Sequence, residues 1–264
     1  MSYAIRISHS FPPTYQKNNQ YLAQVHSIIK KFNIEIDPKQ VYFRPFKIEE
    51  LAEIRLLHEE WFPVEYSDDF YNKSIRNGIV KTLLAVYDFT YEGNTYPLIL
   101  GCLTYDYKFL DNDIARFSFS DLCGNKYGIY ILTFGVINEV RSKGIGTALL
   151  AKIFEIAESD QTIKYIYLDV IAYNDQGIKC YERNGFIKID RKKNHYKLFG
   201  ERYDAIVYCR YVNDGKRPRS VTELVCSCVT LCGIPQKAFD KARNVIYKLT
   251  KKHTKGLKYK PIQA

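Results

Sequence analysis

The sequence has few of the features that mark a secreted or membrane-spanning protein. Its seven cysteines show no spacing typical of a disulfide framework, and no signal peptide or transit sequence is recognisable. The apolar stretch over residues 221–234 contains Glu223 and is shorter than the roughly 20 residues of a spanning helix. These absences predict a protein that faces a reducing, cytosolic environment.

Several motifs of known chemistry are also missing. The glycines at Gly144 and Gly146 match neither the Rossmann triplet nor a phosphate loop that ends in Gly-Lys-Ser/Thr. Cys226, Cys228 and Cys232 lack a fourth ligand at zinc spacing, so no metal site is expected. No cysteine lies in a Cys-His-Asn signature, which argues against a nucleophilic cysteine.

The chain does have a large apolar content and an uneven charge. At 264 residues, a hydrophobic content of 46% is enough for one sizeable core. The net charge is +10, but residues 214–264 hold twelve Lys/Arg against three Asp/Glu, so the preceding residues are nearly neutral. A nucleic-acid-binding core would carry its own basic face, so this tail favours an anionic membrane surface or an acidic partner, and no nucleic acid is expected.

The pattern around Arg141 predicts an anion-binding turn. An apolar strand over residues 129–136 leads into Arg141-Ser-Lys-Gly-Ile-Gly-Thr147, and a helix with an apolar face follows. Glycines let the backbone approach an anion closely, and the first amides of a helix have no partner within the helix. We therefore expect a phosphate-bearing cofactor to bind here. The alternative is that these glycines merely start a helix and that no ligand binds to them.

The rest of the pattern predicts an α/β fold with a central mixed, mostly antiparallel sheet flanked by helices. Further strands are expected at residues 41–46, 82–91, 96–107, 163–170, from Phe186, and at 203–212, with an irregular loop over 192–197. Helices are expected at residues 48–60, after Ser67, and after Asn174 as far as Asn184-Gly185.

Three segments are not part of this predicted sheet: the loop at residues 61–66, the N-terminal residues 1–40 and the tail over residues 214–264. Pro63 ends a helix and leaves Trp61, Phe62, Val64 and Tyr66 on a loop, which either packs into the core or forms the wall of a pocket for an apolar substrate side chain. Residues 1–40 form a polar extension that either caps the domain or is loosely attached.

The tail over residues 214–264 contains a helix pattern from Pro235 with one apolar and one basic face, which is typical of a helix lying on a membrane. The alternatives are a helix packed back on the domain and, less favoured, a histone-like contact with nucleic acid. Palmitoylation of the tail cysteines is a further option.

Together, Arg-x-x-Gly-x-Gly after a strand and the downstream Asn174 and Tyr181 resemble the acetyl-CoA site of the GNAT acetyltransferase superfamily. Within it, Trp61–Tyr66, Tyr130–Gly135 and Tyr167–Val170 resemble the N-terminal acetyltransferases of the NatF type and the NatE catalytic subunit, which act on Met-starting proteins. The resemblance covers residues 41–213. The tail over residues 221–250 is similar to the membrane-binding end of the NatF type, which implies a peripheral membrane protein on the cytosolic face, at the Golgi.

The resemblance implies a role for each matching residue. Tyr130 would be the catalytic tyrosine. The implied acetyl-CoA contacts are Val136, Arg141, Lys143, Gly144, Gly146, Thr147, Asn174 and Tyr181. The implied substrate contacts are Phe62, Pro63, Val64 and Tyr66 for the first residue, and Tyr196 for its backbone. Acetyl-CoA would be the co-substrate, and the partners would be the N-termini of Met-starting, mainly membrane, proteins.

One position departs from the family. The family's catalytic histidine falls on Asp169, and a carboxylate with an ordinary pKa near 4 is a weak base at neutral pH, although burial raises such a pKa. We expect Asp169 to order a proton-accepting water, with His195 as a second catalytic candidate that could replace the base. Backbone amides near residues 134–136 would stabilise the oxyanion, and a tyrosine could protonate the thiolate.

Two other functions fit the same sequence. A histone or lysine acetyltransferase would require an open acidic groove in place of the aromatic wall. A catalytically inactive adaptor that binds acyl-CoA and uses its tail for recruitment would explain the loss of the histidine.

Overall fold

The computed structural model describes Ile29 and residues 34–62, 66–75, 80–91, 93–109, 127–198 and 200–216. Residues 1–28 and 30–33 of the N-terminal extension and the tail from residue 217 onward lie outside the described residues. Ile36 is buried, so the last residues before the first strand pack against the domain. Within the described ranges, no helix is both long enough and apolar enough to cross a bilayer.

Within the described residues, seven strands form one sheet and three α-helices accompany it. The strands are β1 (Tyr42–Pro45), β2 (Lys81–Tyr91), β3 (Asn94–Phe109), β4 (Tyr127–Val136), β5 (Ile163–Ile171), β6 (Ile187–Leu198) and β7 (Glu201–Tyr211). The helices are α1 (Leu51–Trp61), α2 (Ile145–Ser159) and α3 (Asp175–Arg183). Short 3-10 turns span Pro38–Gln40, Ile48–Glu50 and Asn138–Val140, and a π-helix spans Phe70–Ile75.

The strand order is β1-β2-β3-β4-β5-β7-β6, which confirms the expected mixed sheet. The pairs β1/β2, β2/β3, β5/β7 and β6/β7 are antiparallel. The connection from β4 to β5 runs through α2, which is the kind of crossover that parallel neighbours require. Pro45 lies in the edge strand β1, where a missing amide costs no ladder hydrogen bond.

The described chain divides into two compact units. The first comprises the residues up to Asp106 together with Ile131–Ile153. Its helix α1 buries Ile54, Leu57 and His58 on one face, as the helical spacing predicts. A second cluster of this unit is formed by Tyr71, Ile75 and Val80, against which Tyr66 and Phe70 pack.

The second unit comprises the described residues within Tyr107–Tyr130 and those from Phe154 to residue 216. The alternation in β5 is confirmed, because Tyr165 and Tyr167 form a cluster with Cys209 on one face of the sheet. On the other face, the guanidinium of Arg210 lies 4.1 Å from the ring centroid of Phe154 in α2. Asn184-Gly185 ends α3 with Gly185 at φ 80°, the expected left-handed cap.

The expected irregular loop over residues 192–197 is wrong, because these residues continue β6. The pairing with β7 is nevertheless shifted between Lys192 and Tyr196: β6 advances four residues while β7 advances only from Ala205 to Tyr203. Asn194 lies in this bulge with φ 54°, and its backbone amide donates to Asp204 Oδ1 at 2.9 Å. The polar residues of this segment do not show the apolar alternation typical of a strand. One of its backbone amides, that of Asn194, is satisfied by the side chain of Asp204.

Candidate active site

The turn after β4 has the geometry of an anion-binding segment. Ser142 and Gly144 have positive φ values of 63° and 86°, and α2 begins directly afterwards at Ile145. A left-handed turn followed by a helix N-terminus directs backbone amides towards one side, where an anion is favoured. Arg141 Nε donates to the carbonyl of Val136 at 3.0 Å, which fixes the strand end to the start of the turn.

The residues present at this turn suit a diphosphate group. Lys143 is exposed, and Arg141 supplies a second cation at the turn. A Cβ on Gly146 would lie 3.1 Å from Cζ of Phe134, so a larger residue here would require the end of that ring to shift. The predicted contacts Val136, Arg141, Lys143, Gly144, Gly146 and Thr147 therefore lie together along one strand end, turn and first helical turn.

The aromatic residues after α1 lie together in the first unit. The ring centroids of Phe62 and Tyr66 are 6.0 Å apart, and Tyr66 stacks on Phe70 at 4.8 Å. Pro63 and Val64 lie outside the described residues. Both rings contact the imidazole of His58, at 5.5 Å from Phe62 and 5.6 Å from Tyr66.

His58 is a buried polar residue on the apolar face of α1. Its ring is fully buried, and burial lowers its pKa to about 3, so the imidazole is uncharged. Nε2 lies 3.1 Å from Thr133 Oγ1, and Nδ1 lies 3.4 Å from the hydroxyl of Tyr71. Helical spacing cannot separate such a histidine from an apolar core residue, so no signal in the sequence identified it.

In the second unit, three predicted residues meet at a fourth, Asp169. Asp169 Oδ2 accepts a hydrogen bond from the hydroxyl of Tyr130 at 3.1 Å, and His195 Nε2 lies 3.9 Å from the same oxygen. The hydroxyl of Tyr196 donates to the backbone carbonyl of Asp169 at 3.1 Å. The structure thus brings Tyr130, Asp169, His195 and Tyr196 together, while their roles in catalysis and in binding the substrate backbone stay predictions.

Lys192 is a member of this cluster that the sequence analysis missed. Its ammonium lies 2.9 Å from Asp169 Oδ2, and the carboxylate side chain is only 5% exposed. Asp169 Oδ1 is buried and has no hydrogen-bond partner within the described part of the chain. Lys192 lies in the segment 192–197, for which the sequence pattern predicts an irregular loop, so no strand periodicity directs its side chain towards Asp169.

The protonation of the cluster follows from burial and charge. Burial and the neighbouring Asp169 raise the pKa of Tyr130, so this phenol keeps its proton at neutral pH. Burial lowers the pKa of His195, and the positive charge of Lys192 lowers it further. The negative charge of Asp169 raises this pKa, but the net effect is a lowering. At neutral pH, His195 is therefore uncharged and able to accept a proton.

Asn174 and Tyr181 have structural contacts in α3. Asn174 Oδ1 accepts from the amide of Gly177 at 2.9 Å and caps the helix. Tyr181 is buried, with its ring centroid 5.8 Å from that of Phe186. These contacts do not test the predicted contacts with the cofactor.

Comparison with known proteins identifies the class. The model of the acetyltransferase (GNAT) family matches residues 51–186, which is more than half of the chain, and the protein belongs to this family. N-alpha-acetyltransferase 60 from Danio rerio is 29% identical over 208 residues, covering 75% of this chain and 83% of that protein. Histone acetyltransferase MCC1 from Arabidopsis thaliana is 26% identical over 225 residues, covering 83% of this chain and 87% of that protein.

A solved structure shares the fold over the described core. The structure of Arabidopsis thaliana NAA60 in complex with a bisubstrate analogue matches with a TM-score of 0.59 and 25% identity. The match covers 67% of this chain and 99% of that structure. The GNAT fold expected from the turn at Arg141 is therefore confirmed.

Proposed function

We propose that this protein transfers the acetyl group of acetyl-CoA to the free α-amino group of proteins that begin with Met. The observation that carries the proposal is the convergence of Tyr130, His195 and Tyr196 on Asp169 in a GNAT chain. The similarity to N-alpha-acetyltransferase 60 over most of both chains supports the same reaction.

In this proposal, the turn at Arg141 holds the diphosphate of acetyl-CoA. Backbone amides at the start of α2 and the cations of Arg141 and Lys143 provide the donors that a diphosphate requires. Acetyl-CoA would supply the acetyl group as a thioester. Asn174 and Tyr181 are proposed as further contacts with the cofactor.

Acetyl transfer requires the amine to lose a proton while the thiolate leaves. A protein α-amino group has a pKa of about 8, so a base of modest strength is sufficient. We assign the catalytic roles to Tyr130, Asp169 and His195, with Asp169 ordering a water beside the amine. In the structure the single O–H of Tyr130 is donated to Asp169 Oδ2. Because full transfer of the Tyr130 proton would place a tyrosinate beside Asp169, the phenol is proposed to keep its proton and to turn this O–H from Asp169 to the departing thiolate.

The apolar wall is proposed to select the first residue of the substrate. Phe62 and Tyr66 present an edge-to-face pair that suits an unbranched, apolar side chain such as methionine. Pro63 and Val64 complete the proposed set, and Tyr196 is proposed to bind the substrate backbone.

The similarity to a protein named histone acetyltransferase keeps lysine side chains as a second candidate acceptor. The two acceptors can be compared with one series of Met-starting peptides. The N-terminus is either free or acetylated, and each form is made with and without an internal lysine. We expect product only from peptides with a free N-terminus, located by fragmentation mass spectrometry. Product on lysine in blocked peptides would favour the second candidate, and acetyl-CoA binding without any product would favour an inactive adaptor.

We propose further that the tail attaches the protein to an anionic membrane surface, with the Golgi as the site that the family resemblance implies. The twelve Lys/Arg of residues 214–264 support this assignment. The full chain is expected to sediment with vesicles that contain phosphatidylserine, and much less with neutral vesicles. The full-length variant Lys248→Glu/Lys251→Glu/Lys252→Glu should lose this binding but retain peptide acetylation, whereas unchanged sedimentation would contradict the assignment.

A further inference from the structure

Lys192 and His195 both approach Asp169, although a regular strand would not allow it. Residues three apart in a strand point to opposite faces of the sheet. The register shift between Lys192 and Tyr196 removes this restriction, and Asn194 at φ 54° is the residue that accommodates it. The bulge in β6 therefore places three side chains, those of Lys192, His195 and Tyr196, around Asp169 of β5.

The two oxygens of Asp169 are used unequally. Oδ2 accepts from the hydroxyl of Tyr130 at 3.1 Å and from the ammonium of Lys192 at 2.9 Å. His195 Nε2 is 3.9 Å from the same oxygen, which is beyond hydrogen-bonding distance. The carboxylate is thus engaged by Lys192 and Tyr130, whereas the imidazole is close to it but not bonded to it.

The ion pair makes Asp169 an unsuitable proton acceptor. Its side chain is 5% exposed, and a buried charge is stable only when an opposite charge accompanies it. A proton on Asp169 would leave the Lys192 ammonium without its counter-charge. The imidazole of His195 is 25% exposed, so a substrate or a water can reach it.

We propose that Lys192 is a positioning residue of this site: its ammonium engages Asp169 and so leaves the imidazole of His195 to accept the substrate's proton. The proposal rests on the proposed acetyl transfer and names the group that takes the proton. In the step, the amine nitrogen forms its bond to the acetyl carbon, the bond from carbon to sulfur breaks, and the amine proton moves to His195 directly or through a water.

The other charged groups near His195 do not change this assignment. Arg191 and Asp204, on β6 and β7, form an ion pair with each other at 2.8 Å. The ring of Tyr196 contacts the imidazole edge-on at a centroid distance of 4.9 Å. Tyr130 on β4 is uncharged, so in the described part of the chain Asp169 and Lys192 are the charges that set the protonation of His195.

The test is the pH dependence of kcat/KM for a Met-starting peptide in the full-length enzyme and three variants. Lys192→Met removes the ammonium and leaves Asp169 free to stabilise a protonated imidazole, so the acidic limb should move up by about one pH unit. The rate should then fall roughly tenfold on that limb and much less above pH 8. Lys192→Arg should keep the native profile, and Lys193→Met, which changes the neighbouring exposed lysine, should match the parent enzyme.

A second readout separates this inference from the proposed function. The imidazole titration of His195, followed by NMR and assigned by its loss in His195→Gln, should move upward in Lys192→Met even if no peptide is a substrate. An unshifted titration would overturn the inference whatever the activity. An equal loss of rate at every pH, with calorimetry showing unchanged acetyl-CoA binding, would also overturn it, because Lys192 would then act only on the structure of the site.

Discussion

Replacing Tyr130 by Phe is expected to lower kcat for peptide acetylation by about 10²-fold while leaving acetyl-CoA affinity nearly unchanged. The hydroxyl of Tyr130 is the only group that the change removes, and its ring can keep the stacking contact with Tyr167 at 4.6 Å. Asp169 keeps its ion pair with Lys192, so the cluster loses one donor without losing its charge balance. Steady-state kinetics together with calorimetric binding of acetyl-CoA measure the two parts of this expectation.

A neighbouring tyrosine provides the matched control. The hydroxyl of Tyr165 is buried on the same face of the sheet and has no hydrogen-bond partner among the described residues. Tyr165→Phe should therefore leave kcat unchanged and the free energy of unfolding equal or slightly higher, because it removes an unsatisfied polar atom. Equal losses of kcat in the two variants would mean that the tyrosine cluster has only a packing role and would contradict the assignment of Tyr130.

Local rules predicted much of the fold because several independent signals agreed. In β5, the alternation that puts Tyr165 and Tyr167 on one face follows from the two-residue period of a strand. Gly185 at φ 80° follows from the need for a left-handed residue after a helix. The turn at Gly144 was predictable for the same reason, since its φ of 86° is costly for any residue with a Cβ.

The parts of the site that were missed depend on non-local contacts. Lys192 has no sequence feature that distinguishes it from Lys193, and only the bulge in β6 directs it to a carboxylate 23 residues earlier. His58 likewise fits a helix face, while its partners Cys102 and Thr133 come from two different strands. Propensity and periodicity describe neighbours along the chain, so they cannot predict which charges or hydrogen bonds meet across a sheet.

The second large effect concerns stability in acid. His58 is fully buried among the rings of Phe62, Tyr66 and Tyr71, and its pKa in the folded protein is lowered to about 3 by burial. In the unfolded chain the pKa of histidine is about 6.5. Between these values the unfolded chain binds a proton that the folded protein does not, so the free energy of unfolding must fall as the pH falls.

The size of the effect follows from the linkage relation. One pKa unit corresponds to about 1.4 kcal/mol, so this histidine should lower the free energy of unfolding by about 2 kcal/mol at pH 5 relative to its value well above pH 6.5. Near pH 3 the loss in the free energy of unfolding should approach roughly 4 to 5 kcal/mol. This figure is an upper limit, because water penetration and relaxation reduce the effect of burial on a pKa.

The measurement compares urea unfolding at pH 7 and pH 5 for the parent protein and for His58→Asn. Asparagine cannot take up a proton, so the variant should be less stable at pH 7, through lost packing, but should lose about 2 kcal/mol less than the parent between pH 7 and pH 5. His195→Asn is the matched histidine control, and it should keep most of the parent's acid loss because that imidazole is partly exposed. The contrary result is an equal fall in the free energy of unfolding on acidification for His58→Asn and the parent protein. It would mean that the imidazole of His58 is protonated or hydrated in the folded state, which contradicts its assignment as fully buried and uncharged.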